Sequence, residues 1–301
     1  MSEPTHALGL MFAAVALVAW SSLSFFIRAA IQGAPLLQTT AATTTGNAIL
    51  VLPVAWVLLP ASAFRPSQPG TYLLLVLIAI FMIVLSRLTY YFAIRRIGPS
   101  RAIPVAANTP VVTALLAAMF LGEPLSPRIF IGLGLFIAGI TTVVRASPAG
   151  AGGGSASRRD RLLGYLSAAA TTFIWSSTGV MFKAAGKDMS PLAVAAMTIW
   201  MGAPMAWFVA WKFEPSIALG RIPAGNRRWV ACAALCQTVA IPSYSLAMSH
   251  TLAVNVSSIT SLQPLLAILI AHLFLRDAEN VTWRLALGAG MTAAGTLTVV
   301  L

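Results

Sequence analysis

The sequence predicts an all-α integral membrane protein: ten transmembrane helices arranged as two inverted five-helix repeats around a central cavity. Three observations lead there. Of 301 residues, 58% are hydrophobic and 9% charged, against about 25% charged in soluble domains. Apolar stretches near the roughly 20 residues needed to cross a bilayer recur along the whole length. Finally, the chain is an internal duplication. Residues 19 to 30, Ala-Trp-Ser-Ser-Leu-Ser-Phe-Phe-Ile-Arg-Ala-Ala, return at 174 to 185 as Ile-Trp-Ser-Ser-Thr-Gly-Val-Met-Phe-Lys-Ala-Ala. Tyr90 aligns with Tyr244, Pro110 with Pro264 and Glu123 with Asp277, all at an offset of 154. After a two-residue slip, Gly132, Gly134, Gly139 and Val143-Val144 meet Gly288, Gly290, Gly295 and Val299-Val300. That period is too long for a solenoid, whose units run about 20 to 50 residues.

The first half, residues 1–145, carries spans near 8–27, 37–59, 71–94, 102–121 and 129–144. The first seven residues hold no Lys or Arg, and the apolar run outlasts a signal-peptide core, so the first span is expected to remain in place. Thr39, Thr40, Thr43, Thr44, Thr45 and Asn47 polarise the second span, either for close packing and interhelical hydrogen bonds or for substrate contact. Residues 146–160 form a linker whose core, Ala146 to Ser157, is Gly, Ala and Ser-rich. The second half, 161–301, carries spans near 162–182, 191–211, 229–249, 255–275 and 283–301. Helices rather than strands follow from these lengths and from the need to satisfy every backbone polar group inside lipid. Cys232 and Cys236, four apart on one helix, read as small packing residues.

A net charge of +12 would suggest nucleic acid in a soluble protein, but here the basic residues fall in loops between spans. Loops 28–36, 95–101, 145–161, 212–228 and 276–284 emerge on one side and hold fourteen Lys or Arg, against four on the other (Arg65, Arg128, Lys183 and Lys187). The positive-inside rule makes the first side cytoplasmic and puts both termini outside. Corresponding loops of the two halves carry opposite charge excess, as five crossings per repeat require. Similar bundles inserted opposite ways are the architecture of secondary transporters, with the substrate expected between them.

The residues now on the page resemble the drug/metabolite transporter superfamily, in the branch built from two EamA-type domains. The resemblance rests on Ala19-Trp20-Ser21-Ser22 and Ile174-Trp175-Ser176-Ser177, and on Asn108-Thr109-Pro110 running to Leu121-Gly122-Glu123-Pro124-Leu125. Its echo is Leu262-Gln263-Pro264 to Leu275-Arg276-Asp277, where Arg-Asp replaces the family's usual Gly-Glu. The resemblance implies export or exchange of small metabolites at a bacterial inner membrane. Length and the aromatic, Ser/Thr-rich first helices lean towards amino-acid exporters, including those for aromatic amino acids. The alternatives are another small metabolite, such as a nucleotide-sugar, a phosphorylated compound or a drug, and a membrane-embedded enzyme or scaffold.

Arg87 is the one clearly charged side chain well inside an expected span. Ionisable groups in the membrane default to function. Tyr90 and Tyr91, at i+3 and i+4, share its helix face. That face offers a guanidinium fork for a carboxylate and rings for apolar bulk; the competing reading has Arg87 snorkelling to the head groups. On the eighth span Gln237, Tyr244 and Met248 recur on one face. Trp20 with Ser21 and Trp175 with Ser176 form matched pairs in mid-helix, available to substrate or to packing between halves. Pro110 and Pro264 remove backbone donors inside the fourth and ninth spans, so with Asn108, Thr109 and Gln263 they are expected to line the cavity or act as hinges. Glu123 and Asp277 end their helices and read as structural.

No Asp or Glu lies mid-span, which disfavours a carrier of cationic drugs. No metal-ligand spacing, Gly-rich phosphate loop or paired carboxylates occur, so neither an enzyme nor a cofactor is expected. The expected partners are a small-molecule substrate and the lipid bilayer, without nucleic acid. Since one chain holds both repeats, a monomer is expected.

Overall fold

The structure is a computed structural model describing residues 3–32, 34–97, 102, 105–146, 158–214, 222–263, 265–266 and 283–300. All its elements are helical: α1 Glu3–Ala30, α2 Leu36–Leu58, a 3-10 turn Ala61–Phe64, α3 Pro69–Ala79, a π-helical turn Ile80–Leu85, α4 Ser86–Ile97, α5 Thr109–Leu121, α6 Pro127–Ala146, α7 Arg158–Ala185, α8 Pro191–Phe213, α9 Ala224–His250, α10 Ala253–Thr260 and α11 Trp283–Val300. Among the described residues, five segments are long and apolar enough to cross a membrane: Thr5–Ile27, Leu36–Leu58, Pro69–Ile94, Pro191–Phe213 and Ala224–His250. Shorter apolar helices cover Thr109–Leu121, Pro127–Thr142 and Gly290–Val300.

Helix α7 contains the span expected at 162–182 but falls outside this apolar set. Its 28 residues extend about 42 Å at 1.5 Å each, so length is not the reason. Ser167, Thr171, Thr172, Ser176, Ser177 and Thr178 dilute its apolarity. Their polarity is contained: Thr178 donates to Ile174 O (2.8 Å), while the single hydroxyl hydrogens of Thr171 and Thr172 are shared between a carbonyl of their own helix (Ser167 O at 2.9 Å, Ala168 O at 3.1 Å) and an acceptor on a neighbouring segment.

The chain packs as two compact units. Unit 1 holds residues 1–84 and 181–251, and unit 2 holds residues 85–180 and 252–301. Each unit draws on both halves of the duplication. In unit 1, α1 lies along α9, while α2 packs on α8 and α9. In unit 2, α6 lies along α11, and α5 packs on α10.

Equivalent helices of the two halves meet antiparallel. Within unit 1, Trp207 Nε1 on α8 donates to Thr45 Oγ1 on α2 (2.9 Å), and Gln38 Nε2 donates to Glu214 O (3.3 Å). Within unit 2, α6 and α11 approach through glycine. A Cβ on Gly132 would lie 2.7 Å from Gly295 O, and one on Gly139 would lie 2.4 Å from Thr292 N and 2.8 Å from Gly288 O. Small residues let helix backbones approach this closely, which is how apolar helices gain packing energy where lipid is as apolar as the side chains.

Described acidic groups serve this packing. Both oxygens of Glu214 accept from the amide of Leu37 at the start of α2, and one also from that of Gln38. Asp188 accepts from the Ser67 and Gln68 amides and from Thr71 Oγ1 (2.7 Å) at the start of α3. Glu123 accepts from the Ala253 amide at the start of α10. Carboxylates at helix N-termini satisfy orphan amides and complement the helix dipole. Gly122, at φ 69°, ends α5 in the left-handed conformation and turns the chain so that Glu123 follows it.

Two expectations need correction. The fourth span, 102–121, is not one helix: the chain breaks at 107–108 and α5 starts at Thr109. Pro110 therefore stands in the first turn, where no backbone donor is needed, rather than kinking a continuous helix. The ninth span begins as α10 and breaks at the equivalent place, 261–262. Pro264 and the stretch 267–282, with Asp277, lie outside the described residues.

Candidate functional site

In unit 2 the π-turn ends one residue before Ser86, and α4 then carries Arg87, Tyr90 and Tyr91. An i→i+5 bond spans one residue more than an α-helical bond, so the side-chain pattern after the turn departs from that of an uninterrupted α-helix. The i, i+3, i+4 relation of Arg87 to the two tyrosines is unaffected because all three follow the turn. The Tyr90 ring packs on Trp175 of α7, with centroids 5.3 Å apart at 47°, and on Tyr91 at 6.0 Å. Beside the rings, Thr171 Oγ1 donates to Thr89 Oγ1 at 2.8 Å and fixes α4 against α7. Arg87, Tyr90, Tyr91 and Trp175 are each half-buried.

One turn along α7, Ser176 is 1% exposed and donates to Thr109 O (3.1 Å), while Thr172 donates to Val105 O (2.9 Å). Two hydroxyls four residues apart thus meet two carbonyls four residues apart, on either side of the break at 107–108. Backbone freed by that break would otherwise be costly away from water. Thr109 Oγ1 also meets Ser261 Oγ at 2.7 Å, so the two breaks touch. Asn108 and Gln263, both half-buried, flank them.

Unit 1 holds the equivalent aromatic pair. Trp20 packs on Tyr244 with centroids 5.1 Å apart at 56°, and Phe182 meets Tyr244 edge-on at 5.9 Å and 89°. Such contacts are worth about 0.5–1.5 kcal/mol each beyond their buried area. That is small enough for a half-buried ring to exchange its neighbour for a ligand. Ser21 is 1% exposed and donates to Leu17 O (2.8 Å). Gln237 is half-buried, and its Oε1 is buried without a protein partner. Met248 is fully buried in the core. On α2, Thr40, Thr43, Thr44 and Thr45 each donate to a carbonyl of their own helix, and Asn47 Oδ1 faces Thr238 Oγ1 at 3.0 Å. Those groups fit the packing role.

The structure therefore brings Tyr90, Tyr91 and Trp175 together in one unit and Trp20 with Tyr244 in the other. Sequence reasoning missed Phe182, because its counterpart in the first half is Ile27, which shows no aromatic pattern. The π-turn was missed as well, since Ile80–Leu85 reads as ordinary apolar helix. No cluster of three or more His, Cys, Asp or Glu suited to a metal occurs among the described residues.

Comparison with known proteins agrees with the duplication. The model of the EamA-like transporter family matches residues 7–145 and again 162–301. No curated protein sequence matches the chain. A solved structure described only as the crystal structure of a protein shares the fold, with a TM-score of 0.79, 20% identity, and coverage of 97% of this chain and 96% of that one. With both halves matched in turn, the chain belongs to the EamA-like transporter family.

Proposed function

We propose that the protein is a secondary transporter that exports or exchanges small zwitterionic metabolites, above all amino acids with apolar or aromatic side chains, by alternating access. The observation that carries this reading is the arrangement in unit 2: Arg87 stands one turn from Tyr90, whose ring packs on Trp175. A guanidinium fork suits a carboxylate, and the rings suit an apolar side chain. The Trp20–Tyr244 pair repeats the aromatic element in unit 1. Acid chemistry supports the same class. Glu123, Asp188 and Glu214 hold helix N-termini, and Asp160 pairs with Arg96. Among these described carboxylates, one could meet a purely cationic substrate only at the cost of a helix cap or an ion pair.

The ten-helix, inverted reading belongs to this proposal, with both termini outside a bacterial inner membrane and one chain forming the carrier. The antiparallel meeting of α6 with α11 and of α2 with α8 supports it. Cysteine introduced at the exposed Arg158 and Arg228 should then be labelled from the same face of the membrane. Function is tested by counterflow in liposomes with a panel of apolar amino acids, nucleotide-sugars, phosphorylated metabolites and cationic dyes. Exchange of the amino acids alone supports the proposal. Exchange of a phosphorylated compound or a dye instead would replace it.

A further inference from the structure

The duplication gives each unit a tryptophan-tyrosine pair, but the polar residue on the tyrosine's helix face differs. In unit 2 it is Arg87, three residues before Tyr90, and its counterpart in the second half is Ile241. In unit 1 it is Gln237, seven residues before Tyr244 on α9, and its counterpart in the first half is Ile83. Arginine carries donors only, whereas an amide oxygen accepts. Gln237 Oε1 is buried without a hydrogen-bond partner among the described residues, a costly state for an acceptor away from water. The Thr39, Thr198 and Ser258 hydroxyls and the Asn47 amide nitrogen also lack partners there, but those four residues are 0% exposed. Gln237 is half-buried and therefore reachable.

The surroundings favour a positively charged donor as the missing partner. Pro242 lacks the amide that would bond Thr238 O, so this stretch of α9 holds a second oxygen without its α-helical donor. The Tyr244 ring on the same face, and Trp20 packed on it, are half-buried, and aromatic faces attract ammonium groups. No carboxylate of these helices competes for the role, since α9 has no Asp or Glu and α1 has none after Glu3. We infer that Gln237 receives the primary ammonium group of the substrate, with Oε1 accepting one of its N–H bonds, and that unit 1 thereby selects amines over analogues that lack the group. The inference rests on the reading of the protein as an amino-acid carrier and names the residue that reads the amine. A neutral acceptor leaves the site without fixed negative charge, so a cation that has no carboxylate gains little there.

The test measures equilibrium binding of phenylalanine, and of hydrocinnamate, which is phenylalanine without its amine, to the full chain in detergent. The unsubstituted protein is compared with Gln237→Met and Gln237→Glu. Methionine keeps the length and loses the strong acceptor, whereas glutamate keeps an acceptor oxygen. The unsubstituted protein should prefer phenylalanine by about tenfold or more, and Gln237→Met should bring the two affinities to within about twofold by weakening phenylalanine alone. Gln237→Glu should keep the preference. A preference that survives in Gln237→Met overturns the inference, as does equal weakening of both ligands, the mark of a packing role. Should Gln237→Met fail to fold, Gln237→Leu is read by the same ratio. Equal binding of both ligands by the unsubstituted protein overturns the amine assignment and leaves the carrier reading standing. Binding of neither removes the amino-acid reading and this inference with it.

Discussion

Ile83 fills the space that a side chain at position 202 would occupy: a Cβ on Gly202 would lie 1.9 Å from Ile83 Cδ1. Ile83 is 3% exposed, sits in the π-turn, and packs with Ala41, Ala206 and Ala210 in the core of unit 1. Gly46, the counterpart of Gly202 in the first half, receives Ala234 on α9 in the same way, where a Cβ would lie 2.9 Å from Ala234 Cβ. The notch is therefore duplicated. The larger side chain in the second notch coincides with the π-turn.

Gly202→Ala should consequently destabilise the protein by about 1–3 kcal/mol through overpacking. Ile83→Val removes the clashing methyl, so the double variant should regain most of that loss. Thermal unfolding in detergent of the two single variants and the pair measures the coupling, and additive losses would show that the two positions do not share the space.

Glycines on α6 and α11 separate by what they face. A Cβ at Gly139 meets backbone atoms of α11 that no side-chain rotation can move, whereas a Cβ at Gly134 or Gly290 meets nothing within 4 Å. Gly139→Ala should cost more than about 3 kcal/mol or abolish folding. Gly134→Ala and Gly290→Ala should be neutral or slightly stabilising, as helix propensity favours alanine. Monodispersity in detergent and melting temperature distinguish the two groups.

Asp188 carries a pH signature. Its carboxylate is held below the usual range, first by the Thr71 hydroxyl and then by the Gln68 and Ser67 amides. A depressed folded value means that its contribution is complete above the unfolded value, about 3.9, and is lost as pH falls through the lower folded value. Asp188→Asn should lower the melting temperature at neutral pH, with the difference from the unsubstituted protein shrinking in acid. A difference that is constant across that window would assign the role to packing alone.

Much of this was legible in the sequence because the duplication supplies its own control. Register matches Trp20 with Trp175 and Tyr90 with Tyr244; that each tryptophan packs on the tyrosine of the other half, Trp20 on Tyr244 and Trp175 on Tyr90, appears only in the structure. Glu123 could be assigned a structural role, although its partner, the Ala253 amide 130 residues away, could not be read. The hydroxyls were less readable. Serine and threonine in an apolar helix look alike whether they bond their own helix, as Thr43 does, a broken neighbour, as Ser176 does, or both, as Thr172 does. The breaks at 107–108 and 261–262 were hidden for the same reason: an apolar run containing proline does not say whether the proline kinks a helix or starts one.

The most direct test of the account is the initial rate of labelled phenylalanine exchange in liposomes containing the unsubstituted protein, Arg87→Lys or Arg87→Ala. If Arg87 receives the substrate carboxylate, Arg87→Ala should lose exchange by roughly tenfold or more. Arg87→Lys should retain part of it, and insertion and melting temperature should be unchanged in both. Undiminished exchange by a well-folded Arg87→Ala protein would contradict the proposed site.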